Sequence, residues 1–300
     1  MNISNPTIFK GHGSAVYCLL SKNKNAFYSG SGDHHLIEWN IENPDKGTVV
    51  AILPAGIYSL IAHNHLLIAG CGNGEVHCIN TQSATALSKA HLHNSYVFDL
   101  CFYNQFLFTA GGDGQIIKTD LQLNKHDSIH LGDFKIRKLL PHPDGQHLIA
   151  GCGDGTIRIL NVNTLKEEQI VSAHTKDFSV NALCFTPDKK FLLTGSRDAR
   201  LNIFDVQNSF TKVDSIAAHN YAIYAIAFNP SGKLMATAFL RCNYLRSKHP
   251  FALTRHFQRI RMTFYKRLDV PDSLVFKDFI YSNQDTGLFH VTKLIVDSRP

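Results

Sequence analysis

Long apolar runs are missing from this 300-residue chain. No stretch of about 18 consecutive apolar residues exists to cross a bilayer as a helix, and the first ten residues, MNISNPTIFK, have neither the basic start nor the apolar core of a secretory leader. The expected compartment is the cytoplasm. Paired cysteines are equally scarce: the seven present are an odd number, no C-x-x-C occurs, and most sit in apolar runs such as AVYCLL and NALCFT. Buried, reduced thiols are expected, and neither a zinc motif nor a redox pair is. The glycine-rich segments GCGDGTIR and GGDGQIIK lack the Gly-Lys-Ser/Thr ending of a phosphate loop, and no G-x-S-x-G elbow is found. No catalytic constellation and no cofactor site emerge, so the chain is read as a non-enzyme.

Excess charge is also absent from most of the chain. Residues 1–239 hold 19 Lys+Arg and 19 Asp+Glu, whereas residues 240–300 hold 11 and 5, so the whole net charge of +6 lies in the last fifth. Within it, residues 241–267 carry eight basic residues, with no acid before Asp269.

What is present in abundance is repetition. FYSGSGDHHLIEWN, LIAGCGNGEVHCIN, LFTAGGDGQIIKTD, LIAGCGDGTIRILN and LLTGSRDARLNIFD share one pattern, anchored at Asp33, Asn73, Asp113, Asp154 and Asp198 with spacings of 40, 40, 41 and 44 residues. Each is an apolar run, a tight Gly-rich turn and an alternating run, which predicts a hairpin. Another strand precedes each hairpin and another follows it, giving about four strands per period, the requirement of a propeller blade.

The array resembles the WD-repeat family of β-propellers over roughly residues 7–238. The resemblance implies an all-β fold of four-stranded blades, with five complete units and part of a sixth where an intact member has about seven. It also implies a structural set of His, Ser/Thr, Asp and Trp in each blade, because a buried carboxylate needs donors. The first unit carries the full set at His12, Ser29, Asp33 and Trp39. Others keep part of it: His174, Thr194 and Asp198 with Phe204 in the Trp position; Thr109 and Asp113 with Thr119; Asp154 with Leu160; and His219 ahead of the sixth unit. The second unit has Asn73 and Ile79, and a weakened network is expected there.

The sixth unit breaks off after Phe239. Where an acid is due the chain reads Arg241-Cys242-Asn243-Tyr244, which can be encoded CGA TGC AAC TAT followed by C; one base later that string gives Asp-Ala-Thr-Ile, the continuation the repeat demands. A slipped coding frame is favoured over a native divergent tail, and two regions are expected: a repeat region at 1–239 and a basic segment at 240–300, out of frame or poorly ordered. The amino-terminal strand PTIFKGH, which completes the last blade in the resembling family, would then have no evident partner, although YSNQDTGLFHV at 281–291 distantly echoes the repeat and SLVFKDFIY could form a strand.

The resemblance implies a scaffold that binds proteins or peptides through one face of the propeller. The candidate contact residues are Arg197, which stands one position before the hairpin Asp where other units carry Gly, and Tyr58, Tyr96, Phe178 and Tyr221 near the starts of the inner strands. The alternative is an anion-binding tail, in which basic residues interleave with Phe251, Phe257, Phe264 and Tyr265 in a weakly amphipathic helix; nucleic acid is disfavoured as a partner. The histidine pairs His63/His65 and His91/His93 lack a third metal ligand at fixed spacing and are read as turn and surface residues.

Overall fold

The second strand of each unit is a nearly unbroken run of small and apolar residues, as in LLIAGC and HLIAGC. Such a run is stable only where both faces are covered, and sheets stacked face to face supply the cover. The computed structural model describes residues 7–83, 85–228, 232, 234–243, 257–266, 281–283 and 288–291, and every regular element among them is a β-strand.

After β1 (Thr7–Lys10) come five four-stranded antiparallel sheets, each a meander of consecutive strands. Blade 1 holds β2 (Val16–Asn23), β3 (Ala26–Ser31), β4 (His35–Asn40) and β5 (Asn43–Ile52). Blade 2 holds β6 (Ile57–His63), β7 (Leu66–Cys71), β8 (Glu75–Asn80) and β9 (Thr85–His91). Blade 3 holds β10 (Val97–Tyr103), β11 (Phe106–Gly111), β12 (Gln115–Thr119) and β13 (Lys125–His130). Blade 4 holds β14 (Ile136–Pro141), β15 (His147–Cys152), β16 (Thr156–Asn161) and β17 (Glu167–Ser172). Blade 5 holds β18 (Val180–Phe185), β19 (Phe191–Ser196), β20 (Leu201–Asp205) and β21 (Thr211–Ile216). The inner strands β2, β6, β10, β14, β18 and β22 pack in succession around the propeller axis.

Burial follows this layering. The second strands β3, β7, β11, β15 and β19 are buried from their second residue onward, while the outermost strands alternate or lie exposed. In blades 1, 2 and 5 a glycine permits the close stacking: a Cβ at Gly30, Gly70 or Gly195 would come within 2.5 to 2.7 Å of Ile57, Val97 or Ile223 in the next inner strand, and blade 3 has the small Ala110 at that place. The thiols of Cys71, Cys101 and Cys152 are sealed in these layers, and burial pushes each up to about 12.

The sixth sheet has three strands, β22 (Ile223–Phe228), β23 (Leu234–Asn243) and β24 (Phe257–Lys266). Without the Gly-Asp turn of the other units, β23 runs straight through position 241 for ten residues and pairs along its length with β24. Residues 257–266 form a strand, where the alternative reading of the basic run had an amphipathic helix; residues 241–243 belong to β23, and the rest of the run, Phe251 included, lies outside the described residues. The amino-terminal strand does have a partner, contrary to expectation: β25 (Tyr281–Asn283) and β26 (Leu288–Val291) form a sheet with β1, Thr7 opposite Val291 and Lys10 opposite Leu288. Phe9 of β1 is fully buried against Phe27 and Trp39, edge-on to both rings. Most of SLVFKDFIY lies outside the described residues.

Candidate protein-binding site

The hairpin between the second and third strands sets one end of every blade. In each, the residue after the anchor adopts a left-handed conformation: His34, Gly74, Gly114, Gly155 and Ala199, with φ between 66° and 89°. This turn aims the anchor side chain at the loop leading into the inner strand.

In blade 1, Asp33 accepts from His12 Nδ1 at 2.9 Å and from the Gly13 and His35 amides; His12 Nε2 lies 2.7 Å from Ser29 Oγ, which also accepts from Trp39 Nε1 at 2.7 Å. Burial alone would raise the Asp33 carboxyl, but these amide and imidazole donors together hold it below the usual range. Burial outweighs the attraction of Asp33 and lowers His12. Blade 5 repeats the chain through His174, Thr194 and Asp198, with Phe204 buried in the Trp position.

Blade 3 requires a correction. His93 is not a surface residue but 1% exposed, with Nδ1 2.9 Å from Asp113 and Nε2 2.7 Å from Thr109. It stands 20 residues before the anchor, as His12 stands 21 before Asp33, and that offset is visible in the sequence. Thr119 is buried opposite Leu107, as Trp39 is opposite Phe27. In the sixth sheet His219 lies 2.7 Å from Thr237, and burial lowers its pKa.

Blades 2 and 4 differ. Ala69 and Ala150 take the hydroxyl position, and Pro54 and Gly132 follow the leucines that match Leu92 before His93. In blade 4 Asp154 instead accepts from Arg158, Thr156 Oγ1 and the Thr156 amide, and Arg158 also donates to the Leu131 carbonyl and Glu167. Blade 2 has His77 at the equivalent of Arg158, 3.0 Å from Glu75. In blade 5 that place is filled by Asn202, which donates to the Ala173 carbonyl.

The polar braces occupy the blade edges, which leaves the inner rim. Each inner strand carries a bulge at its second residue, where the register skips one position: Tyr17, Tyr58, Phe98, Arg137, Asn181 and Tyr224. A bulge re-aims a side chain and leaves it outside the ladder. Tyr17 stacks on Tyr58 at 4.2 Å, Tyr58 meets Tyr96 edge-on at 4.8 Å, and Tyr96 stacks on Phe98 at 5.6 Å. The Arg137 guanidinium covers the Phe98 ring at 4.2 Å, a cation–π contact. Gly32, Gly72 and Gly112 make room, since a Cβ there would meet Tyr17, Tyr58 or Phe98 at 3.2, 3.0 or 3.1 Å.

Arg137 is the chemical centre of this rim. Burial lowers its pKa, and Tyr224, Arg197 and Tyr58 are all near enough to act on it electrostatically, which brings blades 2, 4, 5 and 6 to one place. Its Nε finds no hydrogen-bond partner among the described residues. Tyr58 is raised by burial and by Tyr17 beside it.

Of the residues expected from sequence, Tyr58 and Tyr96 lie in the aromatic chain and Arg197 lies within electrostatic range of Arg137. Phe178 is exposed in the loop before β18, where its carbonyl accepts from Ser196 Oγ, and Tyr221 is half-buried two residues before β22. Sequence reasoning missed Tyr17, Phe98, Arg137 and Tyr224. The signal was their position, each following the first buried residue of an inner strand (Val16, Val97, Ile136, Ile223). No helix among the described residues is long and apolar enough to cross a membrane.

Comparison with known proteins agrees with this geometry. The family model for the WD domain, G-beta repeat, matches residues 4–40, 123–161, 165–205 and 210–243, about half of the chain. It passes over residues 41–122, where blade 2 lacks the brace and blade 3 has Thr119 for tryptophan. No curated protein matches the chain.

Proposed function

Because the chain belongs to the WD-repeat family, whose domains generally mediate protein–protein interaction and are typically non-enzymatic, we propose that it is a docking scaffold that takes an acidic peptide segment of a partner protein at the inner rim. The observation that carries this reading is the row of stacked rings from Tyr17 to Phe98 ending on Arg137, whose Nε has no hydrogen-bond partner among the described residues. A half-buried guanidinium with an unmet donor favours a carboxylate, and the rings beside it offer apolar area at low entropic cost. Arg197 adds a second cation on the same side. The anion-binding tail draws no comparable support, since the side chains of its basic run lie outside the described residues.

Selection of a random peptide library on the full chain tests this. Enriched peptides are expected to carry an acidic residue next to an apolar one, and Arg137→Gln and Tyr58→Ala are each expected to weaken their binding at least tenfold, about 1.4 kcal/mol. Val213→Thr, on the exposed outer strand β21, should leave it unchanged. Equal binding by the rim variants and the parent chain would defeat the proposal.

A further inference from the structure

At the other end of blade 4, the turn between β14 and β15 reads His142-Pro143-Asp144-Gly145-Gln146-His147. The backbone closes tightly: the His142 amide donates to the His147 carbonyl at 2.9 Å, the Gly145 amide donates to the His142 carbonyl, and Gly145 takes φ +80°. Asp144 Oδ1 accepts from the Gln146 and His147 amides at 2.8 and 3.1 Å, which fixes the carboxylate. Its Oδ2 is left facing two imidazoles, 2.9 Å from His142 Nδ1 and 2.6 Å from His147 Nδ1. One donor atom from each of the three residues lies within 4.8 Å of the others.

Protonation explains what this arrangement suits. His142 Nδ1 lies 3.3 Å from the Asp144 amide nitrogen and only 2.9 Å from Asp144 Oδ2, and a neutral ring with its proton on Nε2 turns the Nδ1 lone pair toward that carboxylate oxygen. A cation between them turns a repulsive approach into a favourable one. His147 Nε2 is bonded at 2.8 Å to Glu168 Oε2, and Glu168 is itself held by Asn161 Nδ2 at 3.0 Å. A carboxylate that accepts a hydrogen bond from Nε2–H leaves Nδ1 unprotonated as the ligand, which is the outer-shell arrangement of metal-bound histidines. We propose that His142 Nδ1, Asp144 Oδ2 and His147 Nδ1 bind a divalent transition-metal ion of the zinc class, with Glu168 as the positioning residue behind His147.

Two imidazoles with one carboxylate suit zinc, cobalt, nickel or copper, whereas calcium and magnesium take oxygen ligands. Metal–nitrogen bonds of about 2.0 Å in a tetrahedral site set ligand atoms about 3.3 Å apart, so the three groups need move only slightly. The turn is anchored from both neighbours. Tyr103 Oη and Asn104 Nδ2 of blade 3 donate to the His142 and Gly145 carbonyls, and the His142 ring meets Phe185 and Phe210 of blade 5 edge-on. An ion here would fasten three consecutive blades at the end remote from the aromatic rim.

Zinc titration of the folded full chain, with only its accessible thiols alkylated under native conditions, tests the proposal. One equivalent is expected to bind more tightly than any other and to raise the melting temperature. His142→Gln and His147→Gln should each weaken that equivalent at least tenfold, Glu168→Gln should weaken it less, and a His65→Gln/His91→Gln control should not change it. Copper substituted into the unaltered chain should show coupling to two imidazole nitrogens by electron paramagnetic resonance, a readout that needs no variant to fold. Zinc binding unchanged in His142→Gln/His147→Gln, or a copper spectrum with no nitrogen coupling, would overturn the assignment.

Discussion

In blades 1, 3 and 5 a histidine, a hydroxyl and an aspartate form one hydrogen-bonded chain, whereas in blades 2 and 4 the hydroxyl is Ala69 or Ala150 and the histidine position is Pro54 or Gly132. Both kinds of blade have the same four strands and the same hairpin. The difference teaches that the brace is replaceable as a set. Deleting every member together leaves nothing buried without a partner, while deleting one strands the rest in a medium where an unmet polar group is costly.

The largest effect is therefore expected from breaking a full set at one member. Asp113→Ala should destabilise the protein by about 2 to 3 kcal/mol, because His93 and the Asn94 amide lose their acceptor. His93→Leu with Thr109→Ala should cost less than the sum of the two single changes, measured by urea unfolding as a coupling between neighbours. Burial alone would raise the Asp113 carboxyl, but His93 and the backbone amides hold it below its ordinary 3.8. Its ionised form thus contributes stability that is fully present above about pH 4 and is lost as the pH falls through the folded-state value, so the advantage of the parent chain over Asp113→Asn should shrink on acidification.

A smaller effect is expected in the other kind of blade. Arg158→Met removes the partner of Asp154 and the donor to the Leu131 carbonyl, but the group is partly exposed and screened, so about 1 kcal/mol is expected, diminishing with added salt. The smallest concerns the turns they share. Ala199 and His34 hold the left-handed position that glycine holds in blades 2, 3 and 4. Ala199→Gly should therefore raise stability by about 0.5 to 1 kcal/mol, read as a shift in unfolding midpoint.

These contrasts also separate what was legible in the sequence from what was not. The five hairpins were legible because each is written by local turn chemistry, Gly-Asp or Gly-Asn in four units and Arg-Asp in the fifth, between apolar runs at a period near 40 residues. His12, His174 and His219 are marked by their place ahead of the inner strands; His93 carries the same mark, 20 residues before Asp113, but His91 two positions earlier gives it the look of a surface pair. The rim was only half visible. Its six positions match in place and not in residue type, Arg137 and Asn181 standing where four blades carry an aromatic, and the bulge that aims them comes from strand twist and not from a motif. The turn at 142–147 was readable as Pro-Asp-Gly chemistry, but the convergence of its side chains needed the fold. The pairing of β1 with β26 was legible only as the distant echo of the repeat at 281–291, since it joins short strands roughly 280 residues apart.

That last pairing has a consequence for how the molecule is made. Residues 7–10 leave the ribosome roughly 280 residues before the strand they hydrogen-bond, an interval on the order of tens of seconds at ordinary rates of translation. Throughout it, Phe9 can already sink against Trp39 and Phe27, holding the nascent segment in place by its side chain while its peptide groups wait. The growing polypeptide thus carries a docked but unpaired strand until residues 288–291 emerge, and that is the period in which a chaperone would find the most to protect.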